Sequence, residues 1–162
     1  MRLLFLAAAL LAPLPALAQA KSSDKLPPAN PLPYQDGDAA AVLAPINAFF
    51  GAVERGDAAE MLRQVQATGR LSALGDTQNP RYLSWAEFAE RVRPDNIFQE
   101  RITNPAIEVD GNIAMVWAPY VVRVAGKVSN CGIDHFDLVR EDGAWKILNL
   151  TFSTRTTGCP AQ

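Results

Sequence analysis

Residues 130–160 read NCGIDHFDLVREDGAWKILNLTFSTRTTGCP. Two strand-like runs flank Asp142-Gly143, a two-residue hairpin signal, and the stretch holds the only histidine and both cysteines of the chain. Alternation divides the first run into Ile133, His135, Asp137 and Val139 on one face and Asp134, Phe136 and Leu138 on the other. Phe136 and Leu138 mark the second face as the core side, which carries Asp134 inward with them. In the second run Trp145, Ile147, Asn149, Thr151 and Ser153 oppose Lys146, Leu148, Leu150 and Phe152. The latter set is core-like, with Lys146 solvated near the turn.

Upstream of this stretch the period is also close to two. Residues 100–109 (ERITNPAIEV) alternate imperfectly, and Asp110-Gly111 leads into IAMVWAPYVVRV at 113–124, apolar on both faces and therefore expected at the centre of a sheet. Pro119 within it predicts a bulge or a bend, because proline donates nothing to the ladder. Gly126-Lys127 turns the chain into the opening stretch. The outcome is a four-strand antiparallel meander.

Before residue 100 the period is helical. Val42, Ile46, Phe49, Phe50 and Val53 form one stripe after the Asp36-Gly37-Asp38 start; Pro45 sits where the helix begins or bends, and Gly56 stops it. Asp57 and Glu60 open a short second helix with Met61, Leu62 and Val65 on its apolar side. Residues 69–80 are either a short strand or irregular. Ser84-Trp85-Ala86-Glu87 is a capping box for a third helix that buries Phe88 and Val92 and ends at Pro94. Helices first and strands afterwards indicate an α+β domain with helices on one face of the sheet.

Met1-Arg2, the apolar run 3–17 and the small-x-small sites around Ala18 to Ala20 have the form of a secretory signal peptide over residues 1–20. The run is too short, and too interrupted by Pro13 and Pro15, to span a membrane. A secreted or periplasmic protein is therefore expected, with a proline-rich linker at 21–37 and one domain at 38–162. The full chain has 15 basic and 17 acidic residues, and losing Arg2 with the leader makes the balance more negative. No basic patch survives, so neither nucleic acid nor an anionic membrane is expected as a partner. In an oxidising compartment two cysteines without a C-x-x-C spacing are most simply one disulfide, Cys131 to Cys159. If the last turn centres on Asp142, Cys131 lies opposite Ser153, and the tail folds back through Thr157-Gly158 to bring Cys159 to it.

The order of an INAFF helix, a GDAAEM restart, a SWAEF helix and a meander ending in CGIDHFDLVREDGAWKILNL resembles the nuclear transport factor 2-like superfamily, including its SnoaL-like and ketosteroid isomerase-like members and its exported cysteine-containing ones. The resemblance covers about residues 38–160. It implies a cone: a curved antiparallel sheet wrapped around the N-terminal helices, with a pocket at the open end and a homodimer formed through the sheet. It does not fix a reaction, since the superfamily holds isomerases, dehydratases, epoxide hydrolases and proteins that only bind or scaffold. The Asp/Arg/Asp set of the epoxide hydrolases finds no one-to-one match here.

His135 either faces the cavity as a general base, oriented by Asp137 or another carboxylate, or lies half-exposed on the convex face. Asp134 beside Phe136 would have a raised pKa and act as acid or base in an apolar pocket, or would meet water near the strand end. Trp117, Tyr120, Asn149 and Phe49 are the candidate ligand-binding residues. With one histidine and the cysteines expected to pair with each other, no metal site and no cofactor is expected. The expected function is binding of a small apolar or aromatic molecule in the cone. A cofactor-free lyase or isomerase using Asp134 or His135 as base, with Tyr120 or Asn149 as oxygen-stabilising donor, is the alternative. A non-catalytic interaction module is the third possibility.

Overall fold

A computed structural model describes residues 36–75, 79–95 and 98–160; the expected signal peptide and the proline-rich stretch lie outside them. The first helix, α1 (Asp36–Arg55), runs unbroken through Pro45 and buries the whole stripe Val42, Ile46, Phe49, Phe50 and Val53. It ends where the chain turns left-handed at Gly56 (φ 69°). There the Gly56 N–H donates to the Val53 carbonyl (3.0 Å) and the Asp57 N–H to Ala52 (2.9 Å), a Schellman closure. Asp57 then caps α2 (Ala58–Arg63) by accepting the Glu60 N–H. Met61 is buried, whereas Leu62 is exposed and Val65 already belongs to the next strand.

That strand, β1 (Val65–Ala73), resolves the ambiguity of residues 69–80 in favour of a strand and pairs antiparallel with β2 (Arg81–Ser84). Ser84 and Glu87 form the anticipated reciprocal capping box at the start of α3 (Trp85–Ala89), which is shorter than the expected helix, so that Val92 is buried from the following turn. Residues 100–109 are two strands, β3 (Gln99–Ile102) and β4 (Ala106–Asp110), laid end to end along β5 (Ile113–Val124). The break falls at Asn104, which has φ 44°, followed by Pro105. Pro119 causes no bulge in β5: it pairs with Ile133, and the register shift comes later, between Val122 and Arg123.

Strands β6 (Lys127–Glu141) and β7 (Ala144–Phe152) complete a seven-stranded, curved, unclosed sheet in the order β2-β1-β7-β6-β5-β3, with β4 also on β5. β1 joins β7 in parallel, so the meander is extended by N-terminal strands on one side. The helices and the inner sheet face share one core. No helix among the described residues is long and apolar enough to cross a membrane.

The disulfide Cys131–Cys159 is formed, with the Cα atoms 5.6 Å apart. Its register differs slightly from the expected one: Cys131 bridges Arg155 rather than Ser153. One residue of the shift comes from the turn, where Glu141 pairs with Ala144 across Asp142-Gly143, and the other from a bulge in β7. Leu138 pairs with Ile147 but Asp137 with Asn149, which leaves Leu148 as the extra residue. The bulge also swaps the faces expected for β7, since Trp145 and Ile147 are buried before it and Leu150 after it.

Candidate functional site

A cavity of about 510 Å³ lies between α1 and the inner face of the sheet. Phe49 and Phe50 from α1, Phe88 from α3, Phe98 ahead of β3 and Phe152 from β7 give it aromatic walls, and Val122 and Leu150 fill in from the sheet. Phe49 is fixed from two sides, edge-on to Trp85 (ring centroids 5.7 Å) and stacked with Phe88 (6.1 Å). Polar and charged groups interrupt this wall. They include Glu100, Tyr120, Asn130 and Thr154, with Arg81, Arg91 and Arg93.

Glu100 reaches the cavity because β3 alternates. Directly paired residues share a face, and Glu100 pairs with Val122 and Ile102 with Tyr120, both buried on the inner side of β5. The neighbours Gln99 and Arg101 hold the edge strand to α1 by two hydrogen bonds of 2.7 Å to the Glu54 carboxylate. That ion pair keeps the Glu54 carboxyl below its usual range, the Arg101 hydrogen bond being the main cause.

Behind Glu100 lies Asp134, 0% exposed and not itself on the cavity wall. No N–H or O–H of another residue reaches either of its carboxyl oxygens. Its hydrogen-bonding neighbour is the Glu100 carboxyl, and two carboxyl groups make that contact only if one of them carries a proton. Burial, and next the Glu100 charge, pushes Asp134 up to about 10; burial also raises Glu100, to about 7, against the opposing pull of the hydrogen bond from Asp134. At neutral pH the buried aspartic acid therefore donates to a glutamate whose charge state is balanced at the cavity wall. As in other strongly coupled sites, the two protons belong to the pair.

Tyr120 lines the cavity beside this pair, its ring edge-on to Phe152 at 6.2 Å. A side chain at Gly132 would collide with that ring and with the Ser153 carbonyl, so glycine is what lets the tyrosine lie across β6. The Tyr120 hydroxyl donates to the Ser153 carbonyl (2.9 Å) and lies 2.8 Å from Thr154 Oγ1. Burial pushes the phenol up to about 12, so it remains neutral, with its proton committed to the backbone.

Of the residues singled out in the sequence, Phe49 and Tyr120 are on the cavity wall and Asp134 is directly behind it. His135, Trp117 and Asn149 are brought together elsewhere, on the outer face. The His135 and Trp117 rings are 5.9 Å apart, His135 Nε2 is 3.6 Å from Asp137, and the Asn149 amide donates to Asp137 at 3.2 Å. Glu100 is the residue that sequence reasoning passed over. Its signal was present in the parity it shares with Ile102, an acidic residue in the inward phase of an edge strand.

The chain belongs to the family described as "Putative lumazine-binding", whose model matches residues 37–153. Solved structures described as nuclear transport factor 2-like share its fold. A protein of unknown function with a cystatin-like fold from Nostoc punctiforme has a TM-score of 0.64 at 11% identity, over 76% of this chain and 95% of that one. A nuclear transport factor 2-like protein of unknown function from Silicibacter pomeroyi gives 0.59 at 19% identity, over 74% and 97%. A similar protein with a cystatin-like fold from Novosphingobium aromaticivorans gives 0.61 at 15%, over 77% and 86%. No curated protein matches the chain.

Proposed function

We propose that this lumazine-binding-like domain is a small-molecule binder whose cavity accepts a flat aromatic molecule carrying N–H groups, with Glu100 as the acceptor. The observation that carries this is Glu100, the one acidic residue lining the cavity among the described residues, set on a wall with five phenylalanines and held by a buried acid that has no other partner. Apolar walls supply affinity, and one placed polar group supplies orientation. The family description points the same way, since lumazine is a flat bicycle bearing N–H donors.

Lumazine titrated into the protein and followed by its own fluorescence tests this. Saturable binding that weakens as pH falls through about 7, with Glu100→Gln removing that pH dependence, is the expected result. Binding of lumazine that ignores both pH and the substitution would refute Glu100 as the acceptor.

The alternative, a cofactor-free isomerase or lyase, now rests on Glu100. A carboxylate raised to about 7 in an apolar cavity suits proton abstraction. Asp134 is sealed behind it and His135 is on the outer face, so neither touches a molecule in the cavity. The Tyr120 hydroxyl, already donating to Ser153, is not free to stabilise a developing oxyanion, which favours binding over catalysis.

Pairing through the sheet is part of the proposal. Ile113, Met115 and Trp117 (51% exposed) alternate along the outer face of β5, an apolar row suited to a second copy of the chain. Export is supported by the Cys131–Cys159 disulfide, which is compatible with an oxidising compartment. Fractionation of the source cells, with the mature N-terminus read by mass spectrometry, tests it; an intact Met1 in the cytosolic fraction would refute export.

A further inference from the structure

The cavity wall carries a charge pattern that a neutral flat ligand leaves unused. Arg81, Arg91 and Arg93 line it, and Glu100 is the one acidic residue that does. The chain as a whole is slightly acidic, at −2, so this local excess of positive charge runs against the overall composition.

Local structure aims at least two of these side chains at the cavity. On β2, Arg81 shares a face with Leu83, which also lines the cavity, while Tyr82 between them is exposed. Arg91 follows α3 three residues after Phe88, one turn on, and Phe88 is part of the aromatic wall. Glu87, on the same short helix, is already engaged: it accepts from the Ser84 N–H (2.7 Å) and hydroxyl (2.8 Å) in the capping box, and Arg91 only adds to its field. Among the described residues none of the three arginines has an ion pair with an acidic side chain.

We propose that the cavity takes an anionic amphiphile: a flat apolar body against Phe49, Phe88 and Phe152, and a carboxylate, sulfonate or phosphate held by Arg81, Arg91 and Arg93. This rests on the small-molecule-binding function above and narrows its ligand class. Guanidinium groups bind such oxyanions through paired N–H donors, and the exposed position of all three keeps their own desolvation cost low.

Two dyes with one ring system separate the parts of this proposal. 8-Anilinonaphthalene-1-sulfonate carries the anion, and N-phenyl-1-naphthylamine lacks it. Fluorescence titration of the full-length protein should give at least about tenfold tighter binding of the sulfonate. That preference should shrink on raising salt from about 0.05 to about 0.5 M. It should vanish in the Arg81→Gln/Arg91→Gln/Arg93→Gln variant, with the neutral dye held within about twofold. Equal affinities for both dyes in the unaltered protein, or a preference that survives the triple substitution, would overturn the anion site while leaving the apolar cavity intact. Failure of both dyes to bind would overturn the small-molecule function together with it. The salt response of the unaltered protein decides the question even if the triple variant does not fold.

Discussion

At the scale of single residues, Asp134 and Glu100 make the molecule's stability depend on pH in an unusual direction. Most paired carboxylates have lowered pKa values and lose stability in acid; these two are raised, Asp134 to about 10 and Glu100 to about 7. The folded protein therefore keeps protons that the unfolded chain would release. Their contribution is complete below the ordinary carboxylate range and is lost as pH rises through about 7 and then through about 10. Tyr120, at about 12, titrates above that window. Chemical denaturation between about pH 6 and about pH 10 should show stability falling with pH, and Asp134→Asn should flatten the upper part of the fall, because its amide donates to Glu100 without titrating. Parallel pH profiles for the two proteins would mean that no proton is shared. Half of this pair was legible: the parity of Phe136 and Leu138 took Asp134 inward, where it is fully buried. Its partner was not, because the contact runs from β3 across β5 to β6 and no local pattern in the sequence records a diagonal neighbour two strands away.

At the scale of elements, the bulge at Leu148 explains where alternation failed. In a regular strand Trp145 and Ile147 would share the face of Asn149; the extra residue lets them be buried with Leu150 instead. The bulged Leu148 turns its carbonyl toward α3, where the Trp85 indole N–H donates to it at 3.1 Å. On the other side β1 comes so close that a side chain at Gly69 would collide with the same carbonyl. Here three elements meet at one oxygen, and glycine is needed for the approach rather than for its backbone freedom. Trp85→Phe should cost about 1–3 kcal/mol, because it leaves a part-buried carbonyl without its donor. Gly69→Ala should cost about 2–3 kcal/mol or more, as overpacking against backbone does. Both are measurable by denaturant titration, and a Gly69→Ala protein as stable as the parent would show that β1 does not pack there. The bulge itself was invisible beforehand, since Leu148 looks like any core residue and only the partner strand reveals that it is supernumerary. The capping box and hairpin turns were visible because their chemistry is local: Asp142 and Gly143 adopt φ of 50° and 79° at the turn where the sequence placed them.

At the scale of the whole molecule, the sheet presents two faces with different tasks. The inner one is closed by α1 and encloses the cavity, while the outer one leaves Ile113, Met115 and Trp117 exposed in alternation beside His135 and Asp137. If that face pairs with a second copy, Trp117→Arg should convert the protein to a monomer by light scattering after gel filtration, without altering dye binding in the cavity, because the two surfaces lie on opposite sides of β5. An unaltered dimer mass in that variant would move the interface elsewhere.

The disulfide acts on the same scale from the other end. It closes a separation of 28 residues, from within β6 to the tail beyond β7. The bridge fastens the chain next to Gly132, over which Tyr120 lies, and its other end is in the tail that follows Ser153, whose carbonyl accepts a hydrogen bond from the Tyr120 hydroxyl. Ser153 and Thr154 are held by Tyr120 and Ile133, and beyond them the backbone pair between Cys131 and Arg155 is an isolated bridge. Cys131→Ser/Cys159→Ser should therefore lose about 3–4 kcal/mol of stability, the value expected from restoring the freedom of a loop of this length in the unfolded chain. It should also loosen the cavity wall at Tyr120 and Thr154, so that binding of the neutral dye weakens even under conditions where the protein stays folded. Hydrogen exchange at the Cys131 and Arg155 amides separates the two effects. Faster exchange there, with protection of β5 retained, would place the loss in the tail, whereas unchanged exchange and unchanged binding would reduce the bridge to a constraint on the unfolded chain alone.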